Sequence, residues 1–443
     1  MKMNVGYARI DITPDESVPL GGYGNTSGRM SRNILDPLYA TCIAFVNEAG
    51  EKALVYTVDL ISAGITASTE IRPEISRVTG IPVECIQISG THTHSGPDTA
   101  NLKEPSIVRF NEQYKQKMVR AAVEALEDAK PAQLQLARVI TKNMNFVRIY
   151  IMADGTYAGP NFGNQNQPYV GHESEADPEL QLARITREGG KDIVLCNFGI
   201  HQTNSGGAQK FDISADIAGA MRAEYEAKDD CCFAYFTGAC GNLTPNSRIA
   251  EENPVTPKDF VAHGKMMAGY ALSARNSYEP ASFGAIRGKS YHSVHPINHE
   301  YDHMLPQAQE ISELYASTND RKLANKVARE KYGFSSVHHA SSIVNRCKLA
   351  AEETITIDAL TVGDLAFAMA PYEMYDTNGA EIKQGSPFKM TFVLTLANQL
   401  SIGYLPTKLN FQHGGYAVDT CRFVPGVGEE LSAAYVKMLN ELK

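Results

Sequence analysis

The chain has 443 residues, of which 43% are hydrophobic and 21% charged, with a net charge of −9. That composition is of the ordinary globular kind, large enough to bury a core without disulfide or metal staples, and an acidic balance with no long basic run excludes a nucleic-acid footprint. No run reaches about 18 uninterrupted apolar residues, which excludes stable membrane insertion through a helix.

The opening MKMNVGYARIDITP lacks the apolar centre of a signal peptide, which predicts a cytoplasmic, reducing setting. The eight cysteines show no CxxC pair, and most sit in apolar runs such as DIVLCNF, where a buried reduced thiol is expected. GGYGNTSG at 21–28 is glycine-rich, but it follows Pro19-Leu20 without a βαβ unit, so it does not read as a nucleotide loop.

ATCIAFVN (40–47) and KALVYTVDLIS (52–62) are rich in β-branched and aromatic residues and predict successive strands. IQIS (86–89) predicts a third strand, which delivers the chain to ISGTHTHSGP. Tyr114, Met118, Ala122 and Leu126 recur at every fourth position, one face of a helix over about 106–128 that Pro131 is expected to stop. QLARIT, DIVLCNFGI and CCFAYFTG predict further strands, with a helix near 215–227. Residues 305–350 are polar and rich in Lys, Arg, Glu and Ala, and predict two or three surface helices that could form a lid. TITIDALTVGDLAFAMAP (354–371) predicts a hairpin turning at VGD. With no repeat or linker, the economical architecture is a single α/β domain over 1–443, mixed β-sheets flanked by helices, with a helical insertion at about 305–350.

Two histidine groups invite a metal. In His92-Thr93-His94 the spacing places both rings on one face of an extended strand, whereas a turn would make them diverge. His201 follows the apolar run IVLCNFGI, and strand C-termini are where α/β proteins assemble sites; a histidine bonded to nearby backbone is the alternative. HSVHPINHEYDH holds a formal HExxH at His299–His303, the metallopeptidase pattern, but that pattern needs a helix. Pro296 and Pro306 confine any helix there to about two turns, Asp302 adds an acid inside it, and SYHSVHPI alternates as a strand. His292, His295, His299 and His303 could still line a cleft. No G-x-S-x-G elbow occurs, so a serine hydrolase is not supported.

Four segments in order, GYARIDITP with GGYG, ISGTHTHSGP, GIHQTN and TGACGNLTPN, resemble the neutral ceramidase family of zinc-dependent amidases, over about residues 4–425. The resemblance implies the catalytic domain of that family without its C-terminal β-sandwich. It implies one Zn²⁺ per chain held by His92, His201, Glu373 of APYEMY and Tyr404 of IGYLPTKLNFQHGGY. Two imidazoles, a carboxylate and a phenol oxygen form a mixed N/O set that suits zinc, and water on zinc is acidified to about pKa 7. His94 is then expected to shuttle the proton and Tyr416 to donate to the oxyanion. Arg148 would contact substrate, unless it is a surface ion pair. Thr244 stands where the family usually has Ser, unless it is a turn residue before Pro245. Gly22 and Tyr23 of GGYG would meet the substrate.

The expected function is hydrolysis of a linear N-acyl amide in a small molecule, with ceramide itself left open because residues 290–350 do not resemble the family's lipid-covering segment. The alternatives are an ester or lactone hydrolase on the same site, a non-catalytic binding protein, and the HExxH metallopeptidase. Homo-oligomerisation is left open.

Overall fold

The structure is a computed structural model and describes residues 1–23, 28–206, 209–252, 256–257 and 259–443; the 24–27 part of the glycine-rich segment lies outside these. Eight strands form the main path of a large sheet: β1 (Met3–Asp11), β2 (Tyr39–Asn47), β3 (Lys52–Val58), β4 (Ile86–Gly90), β5 (Lys130–Ile140), β6 (Glu179–Arg187), β7 (Asp192–Phe198) and β8 (Cys231–Thr237). Their spatial order is β8-β7-β6-β5-β1-β2-β3-β4, and Glu279–Ala281 pairs with β5 as a ninth strand. A second sheet orders β9 (Ile286–Pro296), β10 (Glu352–Val362), β11 (Leu365–Met369) and β12 (Met390–Leu394) side by side. The mixed α/β architecture, sheets flanked by helices, is the one the sequence predicts.

The continuous apolar runs make sense because the inner strands are covered on both faces, and side chains alternate between those faces. Along β7, Ile193 and Leu195 enter a core shared by the two sheets, whereas Val194, Cys196 and Phe198 meet the helices. Along β11, Leu365, Phe367 and Met369 enter the shared core, and Ala366 and Ala368 face the opposite side. Phe236 and Phe392 touch across the two sheets at 6.4 Å between ring centres. Each large side chain so buried contributes roughly 1.5–3 kcal/mol.

Within these two sheets three pairs of neighbouring strands are parallel: β3 with β4, β7 with β8, and β11 with β12. Parallel neighbours need a crossover, and each crossover contains a helix: α1 (Arg72–Thr79), α3 (Asp216–Lys228) and α8 (Asp376–Gly385). Between α1 and α3 lies α2 (Pro105–Glu127), whose Tyr114, Met118 and Ala122 are buried as predicted. It ends before Pro131, which is not its stop: the chain turns at Asp128, and Pro131 already pairs with Asn4 inside the sheet. Next comes α4 (Phe260–Ser273), packed on α3.

The segment 305–350 forms three helices, α5 (Leu305–Thr318), α6 (Arg321–Tyr332) and α7 (Val337–Arg346). They share a small core of their own that includes Ile311, Ala328, Phe334 and Ile343. α7 rests against the short Tyr416–Thr420 helix: the His338 and Tyr416 rings lie 5.5 Å apart, and Arg346 donates to the Cys421 carbonyl at 2.8 Å. The hairpin at VGD is present, with Gly363 at φ +80°. All eight cysteines are unpaired. Among the described residues no helix is long and apolar enough to cross a membrane.

Candidate metal centre

The C-terminal ends of the three parallel pairs converge on one point. His92 follows β4, His201 follows β7, Cys240 follows β8 and Glu373 follows β11. His92 Nε2 and His201 Nε2 stand 3.0 Å apart, and Glu373 Oε2 lies 3.5 and 3.6 Å from them. His94 does not diverge, contrary to the expectation for a turn. His92 takes a left-handed φ of +66°, and the turn it makes brings His94 Nε2 to 3.3 Å from His92 Nε2.

The hydrogen bonds on the far side of the rings decide what this cluster can do. His92 Nδ1 lies 2.9 Å from the Ile61 carbonyl and His201 Nδ1 lies 3.1 Å from the Cys240 carbonyl. A carbonyl only accepts, so each Nδ1 carries a proton, and Nε2 is the ring nitrogen left to offer a lone pair inward. Burial, then the neighbouring His92 ring and the Arg148 charge, hold His94 and His201 well below the ordinary imidazole range, so both stay neutral. Glu373 Oε2 is buried and has no hydrogen-bond partner. Lone pairs and a carboxylate oxygen facing one another without a proton between them repel; a cation among them removes the conflict. Donors on a tetrahedral ion with bonds of 2.0–2.1 Å stand roughly 3.3 Å apart, close to the separations seen here. The donor set therefore fits a metal ion.

Cys240 is the residue that sequence reasoning missed. Its thiol is within 4.8 Å of the His92 and His201 ligand atoms, so His92, His201 and Cys240 form a second conceivable donor set. Burial, reinforced by Glu373, pushes the Cys240 thiol well up and keeps it protonated. A protonated thiol is a poorer donor than a carboxylate, which favours Glu373. Cys240 closes β8 within TGACGNLTPN, so the strand-end argument that found His201 would have found it too.

Tyr404 is register-paired with Glu373 in a short parallel ladder, which puts both side chains on one face. Burial and the Glu373 charge push the Tyr404 phenol well up, against the opposing Arg148. Tyr416 packs edge-on to Tyr404 at 5.8 Å. Arg148 is not a surface ion pair: its guanidinium donates to the Gly241 carbonyl at 2.7 Å and lies 5.2 Å over the Tyr404 ring. Thr244 keeps its hydroxyl within its own turn, 3.4 Å from the Asn246 backbone N and O. Gly22 has φ +105°, and a Cβ there would stand 2.5 Å from His94 Cγ, so its role is to let the backbone lie against that ring. Tyr23 covers His94 edge-on at 4.9 Å and is 39% exposed, forming the rim.

The formal HExxH segment does not converge. His299 pairs with Asp302 at 2.8 Å, and His303 Nδ1 bonds the Glu300 carbonyl at 3.1 Å. His292 bonds the Thr356 hydroxyl and His295 the Ser293 hydroxyl.

No protein-family model and no curated protein sequence matches the chain. Solved structures do. The crystal structure of neutral ceramidase from Pseudomonas aeruginosa superposes with a TM-score of 0.71 at 16% identity, covering 100% of this chain and 74% of that one. A ceramidase complexed with C2 gives 0.70 at 16% identity, covering 100% and 75%. The class is thus an α/β fold of the neutral ceramidase type, the fold the sequence resemblance implies. At this identity the likeness fixes the fold alone.

Proposed function

We propose that this chain is a zinc-dependent amidohydrolase that cleaves a linear N-acyl amide, with His92, His201, Glu373 and Tyr404 as the metal ligands. The reading rests above all on the inward-turned Nε2 atoms of His92 and His201 facing an unpartnered Glu373 oxygen. A bound zinc ion supplies Lewis-acid polarisation of the amide carbonyl.

The chain's own groups do the rest. The Ile61 and Cys240 carbonyls hold the two ligand rings in the tautomer that binds, and raise their basicity. His94, neutral because it is buried, would take up at Nε2 the proton that the attacking water loses as its oxygen bonds the acyl carbon, and return it to the amine as the C–N bond breaks. Burial and Glu373 push the Tyr416 phenol up, so it stays protonated and donates to the developing oxyanion. Arg148 adds positive charge beside the same phenols, its guanidinium anchored to the Gly241 carbonyl. Gly22 and Tyr23 close over His94 and keep water from that side.

The test is metal content and turnover of purified protein. About one zinc per chain is expected, and cleavage of an N-acyl amide should stop on chelation and return with zinc. His299→Ala should keep both properties. Full zinc with no turnover of any linear amide would overturn the amidase reading. Loss of zinc in His299→Ala, with retention in His92→Ala, would make HExxH the site instead. Cleavage confined to matched esters would move the reaction to the ester bond.

A further inference from the structure

Two clefts are lined by cations, and the first of them reaches Tyr23, the residue that covers His94. The first, about 750 Å³, is walled by Tyr23, Arg29, Asn204, Lys210, Asn246 and Arg321 among others. The second, about 670 Å³, has Arg248, Arg321, Lys322 and Arg329 on its walls, with Asn164 and Gln165 between them. Arg321 lines both, so the two are neighbours. No carboxylate lines either one, in a chain whose net charge is −9. The residues outside the described ones hold no Asp or Glu that could neutralise them.

The cations are also unspent. Arg29 is buried, yet among the described residues its guanidinium meets neutral groups, the carbonyl oxygens of Leu20, Gly21, His94 and Lys210 and the face of the Tyr23 ring at 4.7 Å. Arg248 reaches the Gln165 side chain at 2.8 Å and the Tyr169 hydroxyl at 3.1 Å, both neutral. Asp320, next to Arg321, is occupied by the backbone N–H groups of Lys322 and Leu323 at 3.0 Å. Cations clustered along a concave surface with no counter-ion raise the local positive potential and favour an incoming anion.

Contacts tie the cleft to the chemistry. Tyr23 lies against His94 at one end. At the other, Arg321 opens α6, and α7, packed against it, sets the His338 ring 5.5 Å from Tyr416, which in turn meets Tyr404 at 5.8 Å. The Tyr23 edge of the first cleft is thus the side from which a molecule resting on these cations meets His94. The volume suits a small molecule.

We propose that the substrate carries an anionic group, a carboxylate or a phosphate, held by Arg248, Arg321, Lys322 and Arg329, so that the amide cleaved here joins an acyl chain to an acidic half. This rests on the amidohydrolase reading above. Hydrogen bonds to charged groups are strong enough to separate an acidic ligand from its neutral counterpart by about tenfold or more in affinity.

The test compares N-hexanoylglycine and N-hexanoyl-phosphoethanolamine with neutral N-hexanoylethanolamine on the full chain. Turnover is measured on the zinc-loaded protein, and equilibrium binding on the metal-stripped protein. At least one acidic amide should bind about tenfold more tightly than the neutral one and be cleaved with a lower KM; which acid does so separates carboxylate from phosphate. The advantage should shrink in about 0.5 M NaCl, where charges are screened beyond a few ångströms. It should also collapse in an R321Q/R329Q double variant, whose two exposed positions leave the core intact. Equal binding of all three, or an advantage that survives in the double variant, overturns the proposal. Tight binding of an acidic amide without cleavage of any amide removes the hydrolase reading and leaves the anion cleft standing. Cleavage without acidic preference does the reverse.

Discussion

Replacing Glu373 with alanine removes the carboxylate oxygen that faces His92 and His201 at 3.5 and 3.6 Å. Losing a group that merely supports a metal ligand costs about 10–100-fold in affinity, so losing a ligand should cost about two orders of magnitude or more. At a free zinc concentration near a hundred times Kd, binding stabilises the native state by about 2.7 kcal/mol. Unfolding 443 residues at about 2.1 cal/mol/K per residue carries an entropy of about 0.9 kcal/mol/K near the midpoint. Zinc should therefore raise Tm by about 3 °C in the parent chain, and by only about 0.4 °C in Glu373→Ala at the same zinc concentration. In the metal-free state the variant should be no less stable than the parent, because the lost oxygen is buried and unpartnered. Scanning fluorimetry of chelated protein, with and without added zinc, reads both effects. A zinc-dependent shift that persists in Glu373→Ala and disappears in Cys240→Ala would refute the reasoning and select the His92, His201, Cys240 donor set.

Further outcomes follow from single positions. His94→Ala should retain zinc while losing on the order of 10²-fold in rate; full activity with zinc bound would remove His94 from proton transfer. Gly22→Ala should destabilise the chain by about 1–3 kcal/mol through its left-handed backbone and should lower activity, because the new Cβ would stand 2.5 Å from His94 Cγ. A fully active, equally stable variant would contradict the contact. Burial lowers His263 to about 4, with Met144 accepting from its ring. Its folded value lies below the unfolded value near 6.5, so its contribution is present above pH 6.5 and is lost as pH falls towards 4, by about 3 kcal/mol. Urea midpoints across that window should flatten in His263→Gln; parallel pH curves for the two proteins would rule this out.

The regular elements were legible because their patterns are local. ATCIAFVN, KALVYTV and DIVLCNF carry their strand character within seven or eight residues, and both Gly363 and the every-fourth-residue face of α2 stand where the pattern puts them. The convergence of His92 and His201, 109 positions apart, is not local, and spacing alone could not show it. Nor could spacing show that His92 would adopt φ +66° and fold His94 back beside it, or that Cys240 would close the same ring of donors. The HExxH segment shows the reverse failure. The motif is local and complete, but the backbone there is not a continuous helix, so its side chains bond their own turn. The resemblance singled out Arg148 as a substrate contact or else a surface ion pair, and only the Gly241 carbonyl and the Tyr404 ring decide against the surface pair.

The most direct test of the central claim is a crystal grown with zinc and measured across the zinc absorption edge. One anomalous peak per chain is expected, bonded at about 2.0–2.2 Å to His92 Nε2, His201 Nε2 and the Glu373 carboxylate, with the Tyr404 phenol oxygen as the fourth ligand. A peak between His299 and His303, or one held by the Cys240 sulfur with Glu373 turned away, would contradict it.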